Sequence, residues 1–329
     1  MTTSPEASSP LSPAGVERVP DFFIVGHHKC GTTALYEMLR GHPQIYMPDV
    51  KEPWFLAEDL PLRFEPQSWL PATLPEYLAL FAAAGPDRLA GEATPSYLFS
   101  RAAAARIAEL QPNARIIAIL REPAAFLRSL HLQSVRNHAE TEADFGKALA
   151  LEDLRREGKA IPTHAARPQE LLYSEHVRYV EQLRRYHAVF APEQVLTLIY
   201  EDFRADNEGT VRQVLRFLDV DDGVPIEPTE ANPSVGVRSL QLYELVRSLY
   251  LGRGAAARAA KASIKVLTPQ RVRRDGLVAL RRRVLYAEPP APDPALMAEV
   301  RSRFKGEVLA LSEYLGRDLV TQWGYDAVE

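Results

Sequence analysis

The chain has 329 residues, 46% apolar and 25% charged, with a formal net charge of −4 and one cysteine, Cys30. That length is enough for one large α/β domain with a substantial core or for two small ones. The charge gives no reason to expect nucleic acid as a partner, and a single thiol excludes an intramolecular disulfide and fits a reducing, cytoplasmic setting. Met1–Pro20 is rich in Ser, Pro and Thr and lacks the basic start and apolar centre of a signal peptide. No stretch approaches the roughly 20 apolar residues of a transmembrane segment.

In chain order, residues 1–18 read as a disordered tail. Phe22–Val25 is an apolar strand that runs into a loop, Gly26-His27-His28-Lys29-Cys30-Gly31-Thr32-Thr33, and then into an amphipathic helix, Thr32–Gly41, with Leu35, Met38 and Leu39 on one face. The loop reads G-x4-G-T-T. In an ATP or GTP P-loop a lysine follows the second glycine; here Thr32 stands there and Lys29 lies inside the loop. Backbone N–H groups at a helix N-terminus still make an anion site, but the cation faces a different atom of the ligand. This argues against ATP as that ligand.

Ile45–Met47 predicts a short strand. Lys51-Glu52-Pro53-Trp54-Phe55 follows, then a proline-punctuated loop over 58–73. Helix is expected over Pro75–Ala84, a short strand over Arg88–Ala90, and helix again over Ala102–Leu110 after the segment Gly91-Glu92-Ala93-Thr94-Pro95-Ser96-Tyr97. Arg115–Leu120 (RIIAIL) suits a buried parallel strand. It ends in Arg121-Glu122-Pro123 and a helix, Ala124–Asn137, that carries Ser129, so the spacing is Arg-x7-Ser. An arginine at the C-terminal end of such a strand points into the crevice where open α/β sheets bind ligands, and its planar fork suits phosphate. Residues 140–167 are polar, partly helical, and expected to line or cover an acceptor cleft. Val177–Tyr186 and Asn207–Leu218 read as helices and Val195–Tyr200 as a strand. Gly252–Arg283 holds ten Lys or Arg against one acid, Asp275, and reads as a basic helical insertion; a last helix spans Ala295–Leu315. The alternation predicts a P-loop-like three-layer α/β fold, a parallel central sheet with helices on both faces.

These pieces together resemble the sulfotransferases that use 3′-phosphoadenosine-5′-phosphosulfate (PAPS). The carriers are Lys29, Gly31, Thr32 and Thr33 in the loop, then Arg121 and Ser129. Lys51–Phe55, Gly91–Tyr97, Tyr200-Glu201-Asp202-Phe203, and Leu315-Gly316-Arg317-Asp318-Leu319 before Trp323 extend the likeness. It covers nearly the whole chain from Asp21 on, as a single domain over 19–329, and is greatest to soluble bacterial members and to the glycan N- and O-sulfotransferase branch. It implies transfer of a sulfuryl group from PAPS, with PAP as product and no metal, to a hydroxyl of a small or medium-sized acceptor: a metabolite, a glycolipid or a natural product of secondary metabolism. His28, Lys29, Cys30, Gly31, Thr32 and Thr33 are expected at the 5′ end of the donor, Arg121 and Ser129 at the 3′-phosphate, and Arg238 in a late loop over the nucleotide. The rivals are a P-loop kinase or NTPase and a non-catalytic PAPS-binding module.

Lys29 is the expected stabiliser of charge on the leaving phosphate oxygen. Glu52 is the expected general base, by likeness to glycan-modifying relatives, and otherwise reads as half of a surface Lys–Glu pair. Glu92 is a second carboxylate, either catalytic or capping a turn, and His131 is an alternative base. Where glycan-type relatives often carry a lysine two places before the proline of the Thr94–Tyr97 segment, Ala93 stands here, which counts against a heparan-like polysaccharide acceptor. No His or Cys spacing marks a metal site, and Cys30 has no nucleophile pattern around it. The basic stretch 252–283 is a surface for a carrier protein or a membrane, or a solvated face that balances an acidic body. An oligomer is compatible with the sequence.

Overall fold

Short strands rich in Ile, Leu and Phe build one parallel sheet. The computed structural model describes residues 18–64, 69–227, 236–237, 286–287 and 291–328. The expected tail before Arg18, Arg238 and the basic stretch 252–283 lie outside the described residues. The strands are β1 (Phe22–Ile24), β2 (Ile45–Tyr46), β3 (Leu89–Ala93), β4 (Arg115–Leu120) and β5 (Val195–Ile199), and they lie in the order β2-β3-β1-β4-β5, every pairing parallel. Ile24 pairs with Ala93 on one side and Ile117 on the other. All of Phe22–Ile24 and Ile116–Leu120 are fully buried, as a sheet covered on both faces requires.

Helices flank the sheet: α1 (Thr32–Arg40), α2 (Leu74–Ala79), α3 (Ala103–Leu110), α4 (Pro123–Arg136), α5 (Phe145–Ala150), α6 (Glu152–Arg156), α7 (Tyr173–His176), α8 (Tyr179–His187), α9 (Tyr200–Ala205), α10 (Asn207–Phe217), α11 (Pro294–Leu315) and α12 (Leu319–Gln322). Helix α1 packs with α10, and α11 packs with α4 and α8. Gly236–Val237 (β6) and Tyr286–Ala287 (β7) pair antiparallel as a separate ribbon. Among the described residues no helix is long and apolar enough to cross a membrane. The three-layer α/β architecture is the one the sequence pattern implies.

Several boundaries differ. The helix expected over 75–84 is α2 plus a separate 3-10 turn at Ala82–Ala84, and its start is set by a capping box between Thr73 and Glu76. The helix expected over 177–186 is α8, which starts at Tyr179 and is preceded by the separate turn α7, and Tyr200 begins α9 instead of ending β5. β3 continues through Gly91 to Ala93, because that glycine makes room: a Cβ there would lie 2.2 Å from the Phe22 ring and 2.4 Å from the Met47 sulfur.

Parallel pairing places the C-terminal ends of β1, β3, β4 and β5 along one edge. The chain leaves β1 for β2 and β3 on one side and then crosses to β4 and β5 on the other. The loop after β1 therefore sits at the topological switch point, where open α/β sheets bind ligands. Gly26 opens that loop in backbone contact with β4, and a Cβ on it would stand 2.1 Å from Ile119 N. Backbone cannot yield as a side-chain tip does. Gly26→Ala is expected to destabilise the protein by about 3 kcal/mol, read as a lowered urea midpoint; an unchanged midpoint would refute this close approach.

Candidate active site

The loop from β1 to α1 is held from below. Gly31 has φ 87°, a left-handed conformation that suits glycine, and forms the N-cap of α1; Phe203 packs 2.9 Å from where its Cβ would be. Lys29 also has a positive φ, 64°. Its carbonyl accepts a 2.9 Å hydrogen bond from Arg121 Nη1, which ties the loop to the end of β4. Arg121 in turn lies over the Tyr200 ring, 4.6 Å from its centroid. Burial lowers the Lys29 ammonium to about 8, and the charges of Arg136 and Arg121 push the same way. Three cations therefore crowd one end of a helix, an arrangement suited to a multiply charged anion. Ser129 is buried on α4, eight residues beyond Arg121. Thr32 is buried and Thr33 half-buried in the first turn of α1.

The corner after β4 is braced by the far end of the chain. Glu122 caps α4 by accepting from Ala124 N (3.1 Å) and Ala125 N (2.5 Å), and it also accepts from the Tyr325 hydroxyl at 2.6 Å. Glu201 accepts from Glu122 N at 3.3 Å and from Trp323 Nε1 at 3.0 Å. Arg317 pairs with Asp202 at 2.6 Å. The segments Tyr200–Phe203 and Leu315–Trp323, remote from the loop in sequence, thus form the support behind Arg121.

On the other side of Lys29 lies the Lys51–Phe55 segment. Glu52 and Trp54 have φ of 60° and 62°, both left-handed without being glycine. The Glu52 N–H donates to Ala93 O at 3.1 Å, fixing the segment to the end of β3. Its carboxylate pairs with Lys51. Burial works to raise this carboxyl, but His28, Lys51 and Arg167 outweigh it and hold it below its usual range. His28 stacks on Trp54, centroids 5.7 Å apart, and its Nε2 shares a 2.8 Å hydrogen bond with Ser96 Oγ. Arg167 lies on the Trp54 ring at 3.4 Å from the centroid and donates through Nε to Leu60 O at 3.2 Å. Arg167, the last residue of the polar 140–167 stretch, thus lies against this segment.

His27 is a pin, not a base. The Gln182 amide donates to Glu175 O (2.9 Å) and His176 O (3.2 Å), so its oxygen accepts from His27 Nε2 at 2.7 Å. Burial takes this imidazole down to about 3, and it stays neutral. Cys30 is wholly buried, which pushes its thiol up and leaves it unreactive.

Glu92 is brought near the site but enclosed. It is fully buried on β3 and accepts from Tyr77, from Thr94 Oγ1 at 2.6 Å and from Tyr97 at 3.1 Å. Burial raises it to about 7. Such a ring of hydroxyls is what a structural carboxylate needs. His131 faces another way. Its Nε2–H donates to Glu142 O at 2.8 Å, and its ring lies against Phe145 and Tyr173. Burial lowers its pKa. Sequence reasoning missed Arg136, Arg167 and Glu170, and named Ser96 only within the Gly91–Tyr97 segment. Only Arg136 carried a local signal, since it stands two helical turns after Ser129 on the same face of α4.

Against known proteins, a family model described as "Sulfotransferase domain" matches residues 19–231. The chain belongs to the sulfotransferase family. Its relatives include mouse heparan sulfate glucosamine 3-O-sulfotransferase 3B1, 28% identical over 219 residues, 65% of this chain and 51% of that protein. Another is human carbohydrate sulfotransferase 15, 26% identical over 248 residues, 61% of this chain and 44% of that protein. This sulfotransferase-family chain spans about half the length of the curated relatives it matches. A solved sulfotransferase from Alicyclobacillus acidocaldarius superposes with a TM-score of 0.66 at 26% identity, covering 93% of this chain and 99% of that one.

Proposed function

We propose that the protein transfers a sulfuryl group from PAPS to a hydroxyl of a small or medium-sized acceptor: a metabolite, a glycolipid or a natural product. The observation that carries this is the loop at the switch point, where Lys29, Arg121 and Arg136 concentrate charge at the start of α1. The residues suit the donor. A glycine-bounded loop with no room for a Cβ at Gly26 lets backbone N–H groups approach a phosphate closely. The relatives named as 3-O-sulfotransferases support an oxygen acceptor.

When bound, the donor supplies a sulfuryl group on a phosphate oxygen that must leave with added negative charge. Lys29 meets that charge, with Thr32, Thr33 and the loop N–H groups on the same phosphate. Arg121 and Ser129 hold the 3′-phosphate. Because Arg121 also grips the Lys29 carbonyl, filling the 3′ site steadies the loop that acts at the 5′ end. Glu52, fixed by its backbone to the end of β3, takes the proton of the acceptor hydroxyl. Arg238, outside the described residues, remains assigned to the late loop over the nucleotide, and His131 to the role of substitute base.

Calorimetric titration tests the donor assignment. Adenosine 3′,5′-bisphosphate is expected to bind about tenfold or more tightly than AMP, one charge-assisted contact. Arg121→Ala should erase the preference but also loosen the loop. Ser129→Ala should lower bisphosphate affinity about fivefold and leave AMP affinity alone. Equal affinity for the two nucleotides in the unmodified protein would end this reading. Transfer should also continue in excess EDTA, because Lys29 and the arginines carry the charge; activity lost to EDTA and restored by magnesium would favour a kinase.

A further inference from the structure

We propose that His28 is a second proton acceptor of this site, with Ser96 and Glu170 as the residues that orient it. The inference rests on the sulfuryl-transfer reading and adds to it a role for the loop's own imidazole. Ser96 stands between two partners: His28 Nε2 at 2.8 Å and Glu170 Oε1 at 3.5 Å. A serine has one proton to give. If it goes to the Glu170 carboxylate, His28 must donate through Nε2–H, and its Nδ1 carries a lone pair. Among the described residues Nδ1 makes no hydrogen bond to the chain, and the ring is only partly covered. We assign the serine proton to Glu170, and on that assignment His28 is protonated at Nε2.

The surroundings suit an imidazole that gains charge during reaction. Glu52 faces His28 from the segment after α1, and Glu170 faces it from the turn before α7. Against them stand Lys29 and neutral His27 on the same loop, Arg167 beside Trp54, and His176, which burial also keeps neutral. Trp54 stacks on the ring and limits its rotation. The Glu170 backbone is held by its carbonyl, which accepts from His176 Nε2 at 3.0 Å, while burial raises its carboxyl and His28 and Arg167 lower it. In the reaction, the acceptor oxygen bonds to sulfur while the bond from sulfur to the donor's phosphate oxygen breaks. The one hydroxyl proton passes to the base that the bound acceptor faces, either the Glu52 carboxylate or His28 Nδ1, and never to both. When His28 takes it, the imidazolium keeps its Nε2–H on Ser96 and returns the added proton to solvent after the products leave. Glu52, paired with Lys51, and His28, bonded to Ser96, are then alternative bases of one site.

The test reads the tautomer directly. In 15N-labelled protein with adenosine 3′,5′-bisphosphate added, long-range 1H–15N spectra should show His28 protonated at Nε2 and bare at Nδ1, the signal being assigned by its loss in His28→Gln. Ser96→Ala should mix the two tautomers, and Ser96→Thr should restore the single form, which a purely space-filling serine would not do. Turnover of PAPS with water as acceptor should fall about tenfold or more in His28→Gln. The bisphosphate affinity should fall by less than the rate does, because Gln can still donate to Ser96. A proton on Nδ1, or an unchanged rate in His28→Gln, would overturn the proposal while nucleotide binding left the sulfuryl-transfer reading standing. No binding of the bisphosphate to the unmodified protein would overturn both.

Discussion

Lys29→Ala should lower kcat by about 10²–10³ with every acceptor, the cost of removing one preorganised donor from a developing oxyanion. The loss is specific to the side chain. The contact that ties the loop to Arg121 is made by the Lys29 carbonyl, which alanine keeps. Alanine also tolerates φ 64° no worse than lysine does. The pH dependence gives a second check. In the free protein Lys29 loses its proton near pH 8, and a bound phosphate raises that value by supplying opposite charge. Binding of the bisphosphate above about pH 8 must then take up a proton, so affinity holds below that pH and declines above it. Lys29→Arg stays charged and should flatten the decline. Titration calorimetry between about pH 7 and pH 9 measures both, and a flat profile in the unmodified protein would mean that Lys29 does not face the anion.

Glu52→Gln should lower kcat by about 10²–10⁴ and leave donor affinity nearly unchanged, because glutamine keeps the shape but cannot take a proton. The loss should be smaller with an acidic phenol, which gives up its proton readily, than with an alcohol. Since His28, Lys51 and Arg167 hold the carboxyl below its usual range, the base stays ionised at neutral pH. Activity should fall only as pH drops through that lowered value. Lys51→Ala removes the ion pair, so the acid limb should move up. Steady-state rates of Glu52→Gln against both acceptors decide the matter. Near-normal turnover with an alcohol would place the base elsewhere, first at His28 and then at His131.

The parts of this site that lie close together in sequence were legible in it. Strand, loop and helix follow one another from Phe22 to Arg40, and Arg121 and Ser129 are separated by one helix start, so spacing alone relates them. Glu170 and Ser96 are 74 residues apart and His27 and Gln182 155. Each of those pairs forms only because separate segments converge on one edge of the sheet, and no local pattern announces it. Glu92 shows the reverse problem. Its neighbours in sequence suggested a turn, whereas three hydroxyls from α2 and the Thr94–Tyr97 segment enclose it in the core. The strand was expected to end before Gly91, although the glycine continues β3 and serves close packing between β3 and β1. Backbone pattern cannot distinguish those two uses of glycine.

The brace behind Arg121 has a consequence for biosynthesis. Tyr325 and Glu122 are 203 residues apart, and Trp323 and Arg317 join the same support. On a ribosome adding roughly 5–20 residues per second, β4 and its corner emerge on the order of ten seconds or more before the hydroxyl that secures them. A nascent chain can form the sheet early and still lack a firm nucleotide pocket. Nucleotide should therefore protect stalled chains from proteolysis only once the stall point lies far enough past Tyr325 for that residue to clear the exit tunnel.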